Sequence, residues 1–233
     1  MGSIYLIRHG QASLGAANYD VLSELGIKQS KLLGQFAHSN GLRFERSYAG
    51  EMQRQIDTGR HALAEMPGSG TEILIEPAFN EYAADEVMRT YLPHLEQSEP
   101  KARYFVENAG QYRKEFQKVF SQVITMWITE KNHVPGCEPW SDFVARVKAG
   151  LARVMEQAGR GENIAIFTSG GTITAALQLI TDMPATSAFE LNWQIVNTSV
   201  SRLQYGRSKI SLASFNGQSH LDVHQQPDWV TYR

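Results

Sequence analysis

Arg8 and His9 follow directly on four apolar residues, Ile4 to Ile7, and precede Gly10. Such a run, rich in β-branched and aromatic types, reads as a strand buried on both faces. Ligands of open α/β sheets bind at the carboxyl ends of strands. Taken alone, the tripeptide reads equally well as a sheet edge with a surface histidine. The rest of the chain shifts that balance. Arg54 falls in the first turn of a helix that follows a second short strand, a position of the same kind. Thr168-Ser169-Gly170-Gly171-Thr172 leads from the apolar run 163–167 into another helix, so its backbone N–H groups face the sheet edge as a ready anion site. Glu81 enters from the side of the helical region that follows it.

Two guanidiniums and a helix N-terminus suit a phosphoryl group, whose oxygens match the arginine fork. His9, if neutral, has a ring nitrogen able to attack phosphorus, and the flanking arginines favour that neutral form. Glu81, with its pKa raised by burial and by the phosphate, would protonate the leaving alkoxide and then deprotonate the hydrolytic water.

The elements that must position these groups follow from pattern. Ser23 predicts the N-cap of a helix running to Asn40-Gly41, with Leu25, Leu32, Leu33 and Phe36 facing the sheet. A strand over 46–49 and a helix from near Glu51 to before Pro67 come next; in a parallel sheet this strand would neighbour the first. A third strand spans 72–76. Helices over 85–92, 101–130 and 141–158 exceed an ordinary crossover, so part of 82–160 is expected to cap the sheet edge. A strand over 163–167, a helix from about Ile173 to Thr181 and a closing hairpin, 199–205 and 208–215, complete the pattern.

The composition is 42% hydrophobic and 20% charged, with a net charge of −2. That balance gives no reason to expect nucleic acid or a membrane as partner. The single Cys137 excludes an intrachain disulfide framework and suits a cytoplasmic setting. Without a signal-peptide pattern or a long apolar span, the chain reads as soluble, with one domain over 1–233. The C-terminal tail, with Trp229 and Tyr232, can pack on the body or on a second subunit as a homodimer.

IYLIRHG, the Arg54 of QRQIDT, the Glu81 of FNEYAAD and the strand-turn IAIFTSGG, in that order, resemble the histidine phosphatase superfamily, also called phosphoglycerate mutase-like. The resemblance runs from residue 4 to about 221. It implies a three-layer α/β/α sandwich with a mostly parallel sheet, a phosphohistidine on His9, phosphate held by Arg8 and Arg54, Glu81 as proton donor, and no metal or other cofactor. Two positions depart from the pattern. Ser169 stands where the family usually carries a second histidine, a loss of roughly 3 kcal/mol of transition-state stabilisation by analogy with an oxyanion-hole donor. Gly15 stands where many members have an asparagine, for which Gln11, Ser13 or Asn18 would substitute.

The expected activity is metal-independent hydrolysis of a small phosphomonoester, with Gln11, Ser13, Ser169 and Gly170 added to the arginines as substrate contacts. The alternatives are a weak or inactive phospho-ligand binder and a mutase-type phosphotransferase. Tyr82-Ala83-Ala84-Asp85-Glu86 disfavours the mutase, which would carry cations there. His220 and His224 follow a strand and a turn, so their spacing does not make a metal site; His220 is expected at the pocket rim or holding a loop.

Overall fold

Six stretches pair into one sheet: β1 (Gly2–Arg8), β2 (Arg46–Ala49), β3 (Leu74–Ile75), β4 (Asn163–Thr168), β5 (Val200–Tyr205) and β6 (Ile210–Gly217). The structure, a computed structural model, describes residues 1–13, 20–132, 134–206 and 209–232. The strand order is β3-β2-β4-β1-β5-β6, parallel from β3 to β1 and antiparallel for β5 and β6. The first two strands, expected to be neighbours in a parallel sheet, are therefore not adjacent, because β4 lies between them. Ile164 to Phe167 are all fully buried, and the most apolar strand takes the centre, where both faces and both edges are covered. Only two residues of the expected 72–76 strand pair with β2, and both are exposed at the edge.

Alternation along the strands divides the core in two. Ile4, Leu6, Ile164 and Ile166 join one cluster, Ile7, Ala165 and Phe167 the other. The second cluster is closed by α1 (Glu24–Ser39) and α2 (Gln53–Ala64). The first is closed by α6 (Trp140–Gln157) and α7 (Gly170–Thr181), with α3 (Ala84–Leu95), α4 (Ala102–Glu107), α5 (Arg113–Thr129) and α8 (Ala185–Asn192) packed around them. The three layers and the mostly parallel sheet agree with the sequence-based expectation. Among the described residues no helix is long and apolar enough to cross a membrane.

Several boundaries differ for local reasons. Ser23 caps α1 as expected, its hydroxyl accepting from the Gly26 N–H. The buried face of α1 is Gly26, Gln29, Ser30, Leu33, Gly34 and Ala37, whereas Leu25, Leu32 and Phe36 are half-buried. A Cβ at Gly34 would lie 2.1 Å from the Ala62 carbonyl oxygen, so the close approach of α2 selects small residues there. Pro93 is tolerated in the last turn of α3. The 101–130 helix breaks at Asn108-Ala109-Gly110, where the Asn108 amide turns back to the Tyr104 carbonyl. α8 has no counterpart among the elements expected from pattern; Pro184 stands at its N-cap. The tail packs on the body: Gln29 Nε2 donates to the Trp229 carbonyl (2.7 Å) and to Thr231 Oγ1 (2.9 Å).

Candidate active site

Three strand ends converge. β1 delivers Arg8 and His9, β4 delivers Ser169 and the N-terminus of α7, and α2, following β2, delivers Arg54 in its first turn. His9 is buried. Its Nδ1 lies 2.8 Å from the Gly10 carbonyl oxygen and its Nε2 lies 3.2 Å from Arg54 Nε. A guanidinium can only donate, so Nε2 is the acceptor and the ring proton sits on Nδ1, directed to Gly10. His9 is thus a neutral imidazole with the Nε2 lone pair facing a cation. Burial first, then Arg54 and Arg8, hold its pKa well below the usual imidazole value, against the opposing pull of the Gly10 carbonyl.

Main-chain bonds fix this tripeptide. The His9 N–H donates to the Thr168 carbonyl (2.8 Å), Asn197 Nδ2 donates to the His9 carbonyl (3.0 Å), and the Thr198 N–H donates to the Arg8 carbonyl (3.1 Å). Thr198 sits at φ 62°, and its hydroxyl lies 2.8 Å from His220 Nε2. His220 therefore holds a loop behind His9, one of the two roles expected of it. Arg8 Nη1 donates to the Ile195 carbonyl, tying the α8–β5 connection to the site.

Arg54 is held by Asp20, whose Oδ1 is 2.7 Å from Nη1. The same carboxylate accepts from the Gln53 N–H (2.9 Å) and the Arg54 N–H (3.4 Å). It caps α2, whose own N-cap residue Met52 makes no side-chain capping bond, its sulfur instead accepting from Arg54 Nη2 (2.9 Å). Thr58, one turn beyond Arg54, donates to the Arg54 carbonyl (2.7 Å) and accepts from the Gly10 N–H (2.9 Å).

Glu81 reaches the N-terminus of α7. Its Oε2 accepts from the Gly171 N–H (2.9 Å) and its Oε1 from the Tyr82 N–H (3.1 Å). The anion site expected of the Ser-Gly-Gly turn is thus engaged in part by this carboxylate. Burial raises the Glu81 pKa, opposed in turn by the Gly171 N–H, Arg54, the Tyr82 N–H and Arg8. Gly171 is required by this approach, since a Cβ there would lie 2.2 Å from Glu81 Oε1.

The remaining expected contacts are placed differently. Ser169 is fully buried, and its Oγ accepts from Gln55 Nε2 (2.8 Å). The carbonyl of Gly170 accepts from the Thr174 hydroxyl (2.9 Å). Gln11 is drawn to α1: its Oε1 accepts from Ser23 Oγ (2.8 Å) and its N–H donates to Gln29 (2.9 Å). Ser13 donates its N–H to the Val21 carbonyl. Gly15 and Asn18 lie outside the described residues. Among the described residues no group of three or more His, Cys, Asp or Glu side chains is arranged to hold a metal ion.

Sequence reading missed Asp20, Gln55, Thr58 and Asn197. For Gln55 and Thr58 there was a signal: α2 carries polar residues one and four positions after Arg54, on a helix whose other face is charged.

The model of the histidine phosphatase superfamily (branch 1) matches residues 4–124 and 103–218, and the chain belongs to that superfamily. It is 25% identical over 187 residues to the 2,3-bisphosphoglycerate-dependent phosphoglycerate mutase of Brucella canis, covering 76% of this chain and 81% of that protein. Among solved structures, a phosphoglycerate mutase from Bacillus anthracis superposes with a TM-score of 0.65 at 17% identity, over 97% of each chain. A mycobacterial glucosyl-3-phosphoglycerate phosphatase superposes with a TM-score of 0.60 at 17% identity, over 93% of this chain and 99% of that one.

Proposed function

We propose that this chain is a phosphomonoesterase that works through a phosphohistidine on His9 Nε2. The observation that carries this reading is the fixed tautomer: Nδ1–H on the Gly10 carbonyl leaves the Nε2 lone pair beside Arg54. Arg8 and Arg54 hold the phosphoryl oxygens. Nε2 attacks phosphorus while the ester P–O bond breaks, and the departing alkoxide takes the proton of Glu81. Burial keeps that proton on Glu81 above the ordinary carboxyl range. The Glu81 carboxylate then removes a proton from water as the water oxygen attacks phosphorus. The P–N bond breaks, inorganic phosphate leaves, and His9 and protonated Glu81 are restored.

Hydrolysis is favoured over mutase chemistry by the residues C-terminal to Glu81. Asp85 and Glu86 occupy the exposed first turn of α3, which supplies no cation to hold a second anionic group. The substrate is a small phosphorylated molecule. The Ser169 hydroxyl, accepting from Gln55, stands where the resemblance implies a second histidine.

The test is turnover of 4-nitrophenyl phosphate in EDTA by the wild type and by His9→Ala, with acid-quenched protein examined for phosphohistidine. The wild type is expected to turn over and to carry label; His9→Ala is expected to do neither. A wild type that is inert, yet stabilised to heat by vanadate, would establish a binding protein instead. Transfer of label to a phosphoglycerate rather than to water would establish a mutase.

A further inference from the structure

We infer that Arg146, on α6, is the positioning residue for Glu81. This rests on the proposed role of Glu81 as proton donor. The Arg146 guanidinium has five N–H donors in a fixed plane, and each has an acceptor. Nη1 donates to the carbonyls of Ala78 and Asn80, both at 2.9 Å. Nη2 donates to the Glu81 carbonyl (3.5 Å) and to Glu138 Oε2 (3.1 Å), and Nε donates to Glu138 Oε1 (2.8 Å). The cation also lies 4.4 Å from the centre of the buried Phe143 ring.

Glu81 belongs to no helix or strand, so its main chain depends on such bonds. The same segment is also held by Thr168 Oγ1 and Gln55 Nε2, which donate to the Phe79 carbonyl (2.7 and 3.2 Å). Thr172 Oγ1 donates to the Asn80 carbonyl (3.2 Å). Arg146 closes the clamp, and Glu138, which precedes α6, sets the plane of the guanidinium. The carboxyl of Glu81 then falls on the Gly171 and Tyr82 N–H groups. Arg146 touches no reacting atom; it acts through the peptide that carries Glu81. A lysine, with one nitrogen, cannot span the Ala78, Asn80 and Glu81 carbonyls together with both Glu138 oxygens.

The experiment compares wild type, Arg146→Met and Arg146→Lys by two readouts. The first is the Gly171 amide resonance followed against pH, assigned with Glu81→Gln, which reports the carboxylate on that N–H whether or not the protein turns over. The second is steady-state kinetics on an alkyl phosphate. Arg146→Met is expected to lose the Gly171 titration step and at least about tenfold in kcat, with KM changed less than about threefold; Arg146→Lys is expected to fall between. A folded Arg146→Met that keeps both the titration step and kcat within about threefold of wild type overturns the inference. Should Arg146→Met not fold, Glu138→Gln, which loosens the guanidinium while leaving it in place, is measured by the same two readouts: loss of both supports the inference and retention of both overturns it. An inert wild type whose Gly171 amide still titrates, with the step lost on substitution, would refute the catalytic reading and leave the positioning role standing.

Discussion

Replacing Gly171 by alanine isolates the contact between Glu81 and the start of α7. Alanine is intrinsically better than glycine in a helix by about 1 kcal/mol, and Gly171 is the second residue of α7. Propensity alone therefore predicts a small gain in stability. Against it stands geometry: the new Cβ would meet Glu81 Oε1 at 2.2 Å and Tyr82 ring atoms at 2.7 Å, where ordinary contact begins at 3.4 Å. The carboxylate must retreat by about 1.2 Å, the difference between 3.4 and 2.2 Å. Tyr82 has little room to follow, because its ring centre is 4.8 Å from that of Trp127 and 5.9 Å from that of Phe143. Overpacking of this kind costs about 1–3 kcal/mol, so the net expectation is a loss near 1 kcal/mol, or a few degrees in Tm. The effect on catalysis is larger. A misplacement of about 1 Å costs on the order of a hundredfold, and it should fall where the displaced proton is needed. An alkyl phosphate, whose alkoxide must be protonated as it leaves, should lose about a hundredfold in kcat/KM. A 4-nitrophenyl ester, whose phenolate leaves unaided, should lose about tenfold or less. Burial would act on Glu81 without the Gly171 N–H to oppose it, so the limb on which kcat/KM falls as Glu81 deprotonates should move to higher pH. Equal losses on the two esters would refute this account, and so would an unchanged profile in a folded variant.

Two further substitutions probe the supports behind the site. Burial, with His224 adding to it, lowers the His220 pKa from 6.5 to about 4. The unfolded chain takes up a proton below pH 6.5 while the folded protein does not until about pH 4, so stability is lost as pH falls through that window, by about 3 kcal/mol in all. His220→Gln keeps a polar partner for Thr198 and should remove that share of the slope, read by urea unfolding at pH 7 and pH 4.5. His9 is also lowered and adds a slope of the same sign, so the comparison is between variant and wild type rather than with zero. Asp20→Ala removes the cap of α2 together with the partner of Arg54. It should cost about 1 kcal/mol of stability and raise KM for the phosphate ester; a Tm and KM equal to wild type would show that α2 is held by other bonds.

What could be read in the sequence was set by whether a residue announces its partner. Arg8, His9, Arg54 and the Ser169-Gly170 turn stand at ends of apolar runs or in the first turns of helices, and the structure gathers Arg8, His9, Arg54 and Glu81 around one sheet edge. The order of the strands was not legible, because β1 and β2 are each compatible with several neighbours and only relative burial puts β4 between them. The apolar spacing of α1 pointed to Leu25, Leu32 and Phe36, yet the approach of α2 at Gly34 selects small and polar residues for the buried face. Asn197 and Arg146 were invisible for a different reason. Their bonds run largely to backbone carbonyls, at His9 for one and at Ala78, Asn80 and Glu81 for the other. Every residue carries a carbonyl, so no side-chain type at the receiving end marks the pairing. The same fact makes the supports testable, since a carbonyl cannot be mutated away and the donor side chain alone decides whether the bond exists. Where a functional group is set by its own main chain, as Glu81 is, the decisive substitutions lie in α6 and α7, far along the chain from the residue whose position they control.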